Sequence, residues 1–220
     1  MLKIYGIYGS RATRPLWLAE ELQLQFELVR VVQANRLAEP LAADAPLNTR
    51  SPAFLVINPM GSIPSLEDDG FILHESLAIT LYLARKYGGE IGPKDAAEDM
   101  LMWQWSLFAA TSIEAAAVKI QSVIGKDRQE TEEGKADIEA AAQLLKRPFD
   151  VLEGHLAANG YMVGGRFTAA DVNVAEVVRY AQRHAPLFEK RPALKAWIEG
   201  CQDRAGFKAM WDKRTAEAAS

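Results

Sequence analysis

The chain has 220 residues, 49% hydrophobic and 25% charged, which predicts a globular fold with a sizeable core, in one large domain or two small ones. The formal net charge is −4 and Lys and Arg never cluster, which speaks against nucleic acid as a partner. The only cysteine, Cys201, excludes an internal disulfide and predicts a reducing, cytoplasmic setting.

"LKIYGIYG" follows Met1 with neither a long apolar core nor a cleavage site, so no secretion signal is expected. It reads instead as a buried strand. "PLWLAEELQL" places Leu16, Ala19 and Leu22 on one helical face, and "FELVRVV" reads as a second strand. The stretch from Gln33 to Phe54 is Pro- and Ala-rich with weak periodicity, so it is expected to be mostly loop with room for a short helix. "SIPSLED" and "FILHE" flank Asp69-Gly70, a hairpin signal. "SLAITLYLARKYGG" reads as a helix capped by Ser76 and stopped by Gly88 and Gly89. A small mixed sheet with helices on its faces follows.

From about Ala96 only helical patterns appear. Pro148 is expected to bend or break the long pattern around it. Thr168 and Asp171 have the spacing of a capping box, with Asp in the usual place of Glu. The expected domains are 1–87, α/β, and 93–220, all-α. The longest apolar run, "AFLVI", is too short to cross a bilayer, so no membrane partner is expected.

Candidate chemistry begins at "YGSRATRPLW". Pro15 is tolerated only in a helix's first turn, so the helix starts between about Arg11 and Pro15. Ser10 then stands at the junction, either as a plain N-cap or as a donor to a bound thiolate or oxyanion near unpaired N–H groups. A Ser-His-Asp hydrolase is disfavoured, because the G-x-S-x-G elbow is absent. The scattered histidines His74, His155 and His184 predict no metal site. Ile63-Pro64 is predicted trans on general grounds; a cis bond there would leave the Ile63 backbone open to a ligand strand. Glu75 and Ser76 lie at a strand-to-helix junction, where they serve either as cap and first-turn acid or as a grip on an amino-acid head group.

Together "YGSRATR", "NPMGSIPSLEDDGFILHES" and "LAITLYLARKYG" closely resemble the glutathione transferase family, as does "LAANGYMVGGRFTAADVNVAEV" in the second half. The resemblance runs over nearly the whole chain and is nearest to the serine-type phi and theta classes. It implies a thioredoxin-like domain plus a helical domain, a homodimer, and glutathione as co-substrate. It implies that Ser10 donates to the glutathione sulfur, which attacks a small-molecule electrophile. Ile63, next to Pro64, would pair its backbone with the cysteinyl part, and Glu75 and Ser76 would hold the γ-glutamyl end. Ser62 stands where many members carry Gln, and Arg50 replaces the lysine expected at the glycyl carboxylate. Tyr8, Thr13, Phe108, Thr111 and Ser112 are the candidates for the electrophile pocket. The same site could serve a glutathione-dependent peroxidase or disulfide reductase, and the same fold a non-catalytic interaction module.

Overall fold

The computed structural model describes residues 1–219. The chain divides into two units, Met1–Tyr87 together with the segment from Ala205 onward, and Gly88–Arg204.

In the first unit, β1 (Leu2–Gly6), α1 (Thr13–Glu21) and β2 (Glu27–Arg30) form a parallel crossover. After α2 (Pro52–Ile57) come β3 (Ser65–Asp68), β4 (Phe71–His74) and α3 (Ser76–Tyr87). The sheet order is β2-β1-β3-β4, with β3 antiparallel to both β1 and β4. Asp68 pairs with Phe71, so Asp69 and Gly70 alone make the hairpin loop. Both have positive φ, 51° and 87°, as a type I′ turn requires. Ile4 and Leu66 at the centre of the sheet are fully buried. Residues 13–19 of α1 are buried on every side.

The stretch between β2 and β3 lacks periodicity because side chains, not a ladder, hold it. Asn48 is fully buried. Its Nδ2 donates to the carbonyls of Pro40 and Pro46, both at 2.8 Å, and its Oδ1 accepts from the Arg50 N–H at 2.9 Å. Pro52 opens α2 at a first-turn position, where a missing N–H costs nothing.

The second unit is helical: α4 (Ala96–Phe108), α5 (Glu114–Gly125), α6 (Glu132–Asn159), α7 (Ala169–Val178) and α8 (Pro192–Asp203). A π-helical turn, Ala109–Ile113, joins α4 to α5. The resulting helix, Ala96–Gly125, is long and apolar enough to match a membrane span by length and composition, which the short "AFLVI" run did not foreshadow. Pro148 does not break its helix: α6 runs through it from Glu132 to Asn159. The neighbouring turn is tied from outside. Arg191 donates to Asp150 Oδ1 at 2.9 Å and to the Lys146 carbonyl at 3.2 Å, and Glu153 caps the first N–H groups of α8. Such tertiary bonds offset a local helix-breaking tendency.

The last helix, α9 (Ala205–Ala219), differs from the expected division at 93–220. It packs on α1 of the first unit, with Phe207 edge-on to Trp17 at 5.0 Å. A Cβ on Gly206 would sit 2.6 Å from the Glu21 side chain and 2.8 Å from its backbone nitrogen, so glycine permits this approach.

Candidate functional site

The β1–α1 loop carries Ser10. Its Oγ donates to the Ile7 carbonyl at 2.7 Å and accepts from the Ala12 N–H at 3.1 Å. The Ser10 carbonyl accepts from the Thr13 N–H at 3.2 Å. The helix begins at Thr13 with Ala12 as its N-cap, so Ser10 is not the cap itself. It stands two residues earlier, half-buried, with its hydroxyl turned across the loop. Pro15 falls in the first turn.

Behind this loop the chain is closed. Thr13 is fully buried and its Oγ1 donates to the Ser10 carbonyl at 3.2 Å. Its role is packing, which removes it from the expected electrophile pocket. Arg14 is 1% exposed, and its Nη1 donates to Ser76 Oγ at 2.8 Å. One buried bond therefore ties the helix after Ser10 to the first residue of α3.

The Ile63-Pro64 peptide is cis, which corrects the generic expectation of trans. Tertiary surroundings set the isomer. Asn58, 1% exposed, donates through Nδ2 to the Ser62 carbonyl at 2.8 Å and to Ser65 Oγ at 3.1 Å, bracketing the bond. Gly61 has φ 61°, and a Cβ there would sit 2.6 Å from the Thr49 carbonyl, so only glycine fits. Among the described residues, nothing hydrogen-bonds to the Ile63 N–H or carbonyl.

Glu75 is exposed and holds φ 67°, a left-handed conformation for a residue with a side chain. That costs about 1–3 kcal/mol and concentrates at functional positions. Its carbonyl accepts from the Ile79 N–H at 2.9 Å, so the strain lies at the entry to α3.

A cleft of about 550 Å³ opens on this side of the first unit. Its walls include Arg11, Asn35, Thr49, Arg50, Ser62 and Ile63. Three predicted residues, Arg50, Ser62 and Ile63, thus share one cavity, whose wall includes Arg11 but not its chain neighbour Ser10. Pro64 is buried, and Pro64, Glu75 and Ser76 do not line the cleft. Arg50 is exposed, and its guanidinium has no partner among the described residues. The cleft offers the cationic side chains of Arg11 and Arg50 and the open peptide groups of Ile63, which together suit a peptide-like anion.

Tyr8 is buried, and its phenol is pushed up to about 12, first by that burial and then by the charges of Glu20 and Glu217. Phe108 is half-buried and edge-on to Trp105 at 5.5 Å. Thr111 and Ser112 are exposed on the π-helical turn of the second unit. Sequence reasoning missed Asn58, the Ser76 partner of Arg14, and Arg36, whose Nη2 donates to the Gly9 carbonyl at 2.7 Å. Asn58 precedes a proline and a glycine in "NPMG", a turn signal that marked the place but not the hub.

The model of the glutathione S-transferase N-terminal domain matches residues 8–86, and that of the C-terminal domain matches residues 103–205. The chain is 32% identical to Glutathione S-transferase F13 of Arabidopsis thaliana, over 94% of this chain and 93% of that protein. It is 30% identical to Glutathione S-transferase 3 of Zea mays, over 94% and 91%. The crystal structure of glutathione transferase F7 from Populus trichocarpa superposes with a TM-score of 0.80 at 28% identity, covering 97% of this chain and 99% of that one. The mixed four-stranded sheet and the helical second unit match that architecture. The chain is therefore a member of the glutathione S-transferase family, a glutathione transferase in fold and activity.

Proposed function

We propose that Ser10 donates a hydrogen bond to the sulfur of bound glutathione and holds it as the thiolate that attacks a small electrophile. The observation that carries this reading is the Ser10 hydroxyl itself. It lies ahead of the α1 cap, half-buried, and accepts from the Ala12 N–H while its own proton points to the Ile7 carbonyl. Rotation about the Ser10 side-chain bond exchanges the Ile7 carbonyl for the sulfur. Moving a thiol from about 8.5 to about 6.5 needs about 2.7 kcal/mol of preference for the thiolate. A hydrogen bond to a charged acceptor supplies about 1.5–3 kcal/mol, against about 1 kcal/mol for the neutral bond given up. The start of α1 adds about 0.3–1 kcal/mol. Net of the bond given up, these terms come to about 0.8–3 kcal/mol, which reaches the required preference at the upper end of the range.

Three further assignments belong to this reading. The free backbone groups of Ile63 take the cysteinyl part. Glu75, exposed at a strained junction, and Ser76, oriented by Arg14, take the γ-glutamyl end. Arg50 in the cleft takes the glycyl carboxylate. On the second unit, the electrophile is assigned to Phe108, Thr111 and Ser112. Val56, Met60, Phe71 and Ile72, apolar yet exposed in the first unit, support a homodimer. The single cysteine, Cys201, which has no second cysteine to pair with, supports a cytoplasmic setting.

Turnover of an aryl halide, a peroxide and a mixed disulfide, with wild type and Ser10→Ala, tests the reading. The expected result is a loss of about 10–100-fold in kcat with glutathione binding retained, the loss matching about 1.4–2.7 kcal/mol. Full activity in Ser10→Ala removes the serine from the mechanism. The preferred electrophile among the three assigns the reaction class.

A further inference from the structure

The peptide bond between Tyr8 and Gly9, immediately before Ser10, is gripped at both of its polar groups from the far end of the chain. Arg214 Nη1 donates to the Tyr8 carbonyl at 2.6 Å, and Glu217 Oε2 accepts from the Gly9 N–H at 2.9 Å. The two side chains are three residues apart on α9, hence on one helical face. Their charges match the peptide's own polarity, cation on carbonyl and carboxylate on N–H. Arg36 Nη2 takes the next carbonyl, that of Gly9, at 2.7 Å.

We propose that α9 is a positioning element for the thiolate-stabilising hydroxyl, acting through Arg214 and Glu217. The inference rests on the reading of Ser10 as the donor to sulfur. A hydroxyl can stabilise a developing charge without reorganisation only if its backbone is already fixed. The β1–α1 loop has no strand ladder between Gly6 and Thr13; the Thr13 N–H closes its last turn on the Ser10 carbonyl, and the peptide before Ser10 is held by side chains. The grip is itself braced. The second oxygen of Glu217 pairs with Arg30 on β2 at 3.2 Å, and the Glu217 side chain is only 14% exposed. Lys213 pairs with Glu20 on α1, and Phe207 packs on Trp17. A charge-assisted bond shielded from water holds its angle better than an exposed one.

The experiment uses the full chain with Glu217→Ala, Glu217→Gln, Arg214→Met and Ser10→Ala. The ultraviolet absorbance of the thiolate is titrated in the glutathione complex, and kcat and KM are measured with chlorodinitrobenzene. Glu217→Ala is expected to raise the apparent pKa of the bound thiol and lower kcat about tenfold, a change of about 1.4 kcal/mol in barrier, while KM for the electrophile stays within about twofold. Glu217→Gln keeps an acceptor for the Gly9 N–H and is expected to restore most of kcat. In the double variant with Ser10→Ala, the Glu217→Ala loss is expected to vanish, because positioning an absent hydroxyl has no effect. If Glu217→Ala fails to fold, Arg214→Met, which removes the donor to the Tyr8 carbonyl, carries the same readout, with exchange of the Gly9 amide as the structural reporter. An unshifted thiol pKa in a folded Glu217→Ala, alongside a shifted one in Ser10→Ala, overturns the inference and leaves the Ser10 reading intact. An unshifted pKa in Ser10→Ala overturns both.

Discussion

At the start of α7 the hydroxyl of Thr168 and the carboxylate of Asp171 close on each other, both fully buried. Asp171 Oδ2 accepts from the Thr168 N–H at 2.9 Å and from Thr168 Oγ1 at 3.0 Å. Its Oδ1 accepts from the Met162 N–H at 3.0 Å and from Trp197 Nε1 at 2.8 Å. At the start of α1 the hydroxyl of Ser10 stands ahead of the cap, half-buried, and the helix has no side-chain cap at all. Both sites read from sequence as a hydroxyl before a helix. In the first, every polar group is turned inward and stabilises the unit. In the second, the hydroxyl is kept at the surface of the fold and the stabilising work is passed to Arg14, Arg36, Arg214 and Glu217. On the proposed role of Ser10, this displacement of support is what leaves the hydroxyl available for chemistry.

Removing Asp171 should show the contrast at its strongest. Asp171→Ala leaves three buried N–H donors without an acceptor, those of Met162, Thr168 and Trp197. The expected loss is about 3–5 kcal/mol, read as a fall in denaturant midpoint. Ser10→Ala should lose no more than about 1 kcal/mol of stability by the same measurement. Comparable losses at the two sites would break the distinction.

The start of α4 gives an intermediate case with a pH signature. Glu98 accepts from both Arg166 Nη1 and Nη2, at 2.9 and 2.7 Å, and from the Lys94 N–H. The Arg166 bonds, the larger influence, bring its carboxyl from an ordinary 4.5 down to about 2 against a smaller opposing effect of burial. A depressed carboxylate contributes stability above its unfolded pKa, and that stability is lost as pH falls toward the folded value. Glu98→Gln is therefore expected to cost about 1.5 kcal/mol at neutral pH, with the difference from wild type shrinking between about pH 4.5 and pH 2. A pH-independent difference would mean that shape, not charge, sets the Glu98 contribution.

The smallest effect is expected at Tyr8. Burial first, then Glu20 and Glu217, push its phenol to about 12, so it stays neutral throughout the physiological range. Tyr8→Phe should leave the titration of bound glutathione where it is in wild type. A displaced titration would make Tyr8 a second donor to sulfur.

Features set by neighbours in sequence were legible before the structure. The Asp69-Gly70 hairpin, the Thr168/Asp171 box and the helix start fixed by Pro15 all depend on contacts within about four residues. Features set by distant partners were not. The isomer at Ile63-Pro64 goes with the bracket that Asn58 builds around it. The order between β2 and β3 comes from Asn48 reaching back to Pro40. The unbroken α6 is tied by Arg191, far along the chain from Pro148. The packing of α9 on α1 joins the two ends of the chain. At the site the same rule holds. Ser10, Ile63 and Glu75 were marked by turns and helix starts, whereas the Arg214 and Glu217 grip spans more than 200 residues of sequence.

The most direct test is the thiol pKa of glutathione bound to wild type and to Ser10→Ala, followed by thiolate absorbance across the neutral range. The expected result is a wild-type value depressed to about 6.5 and a rise of about 1–2 units on removing the hydroxyl, matching the loss of a bond worth about 1.5–3 kcal/mol. The same depressed value in both proteins would contradict it.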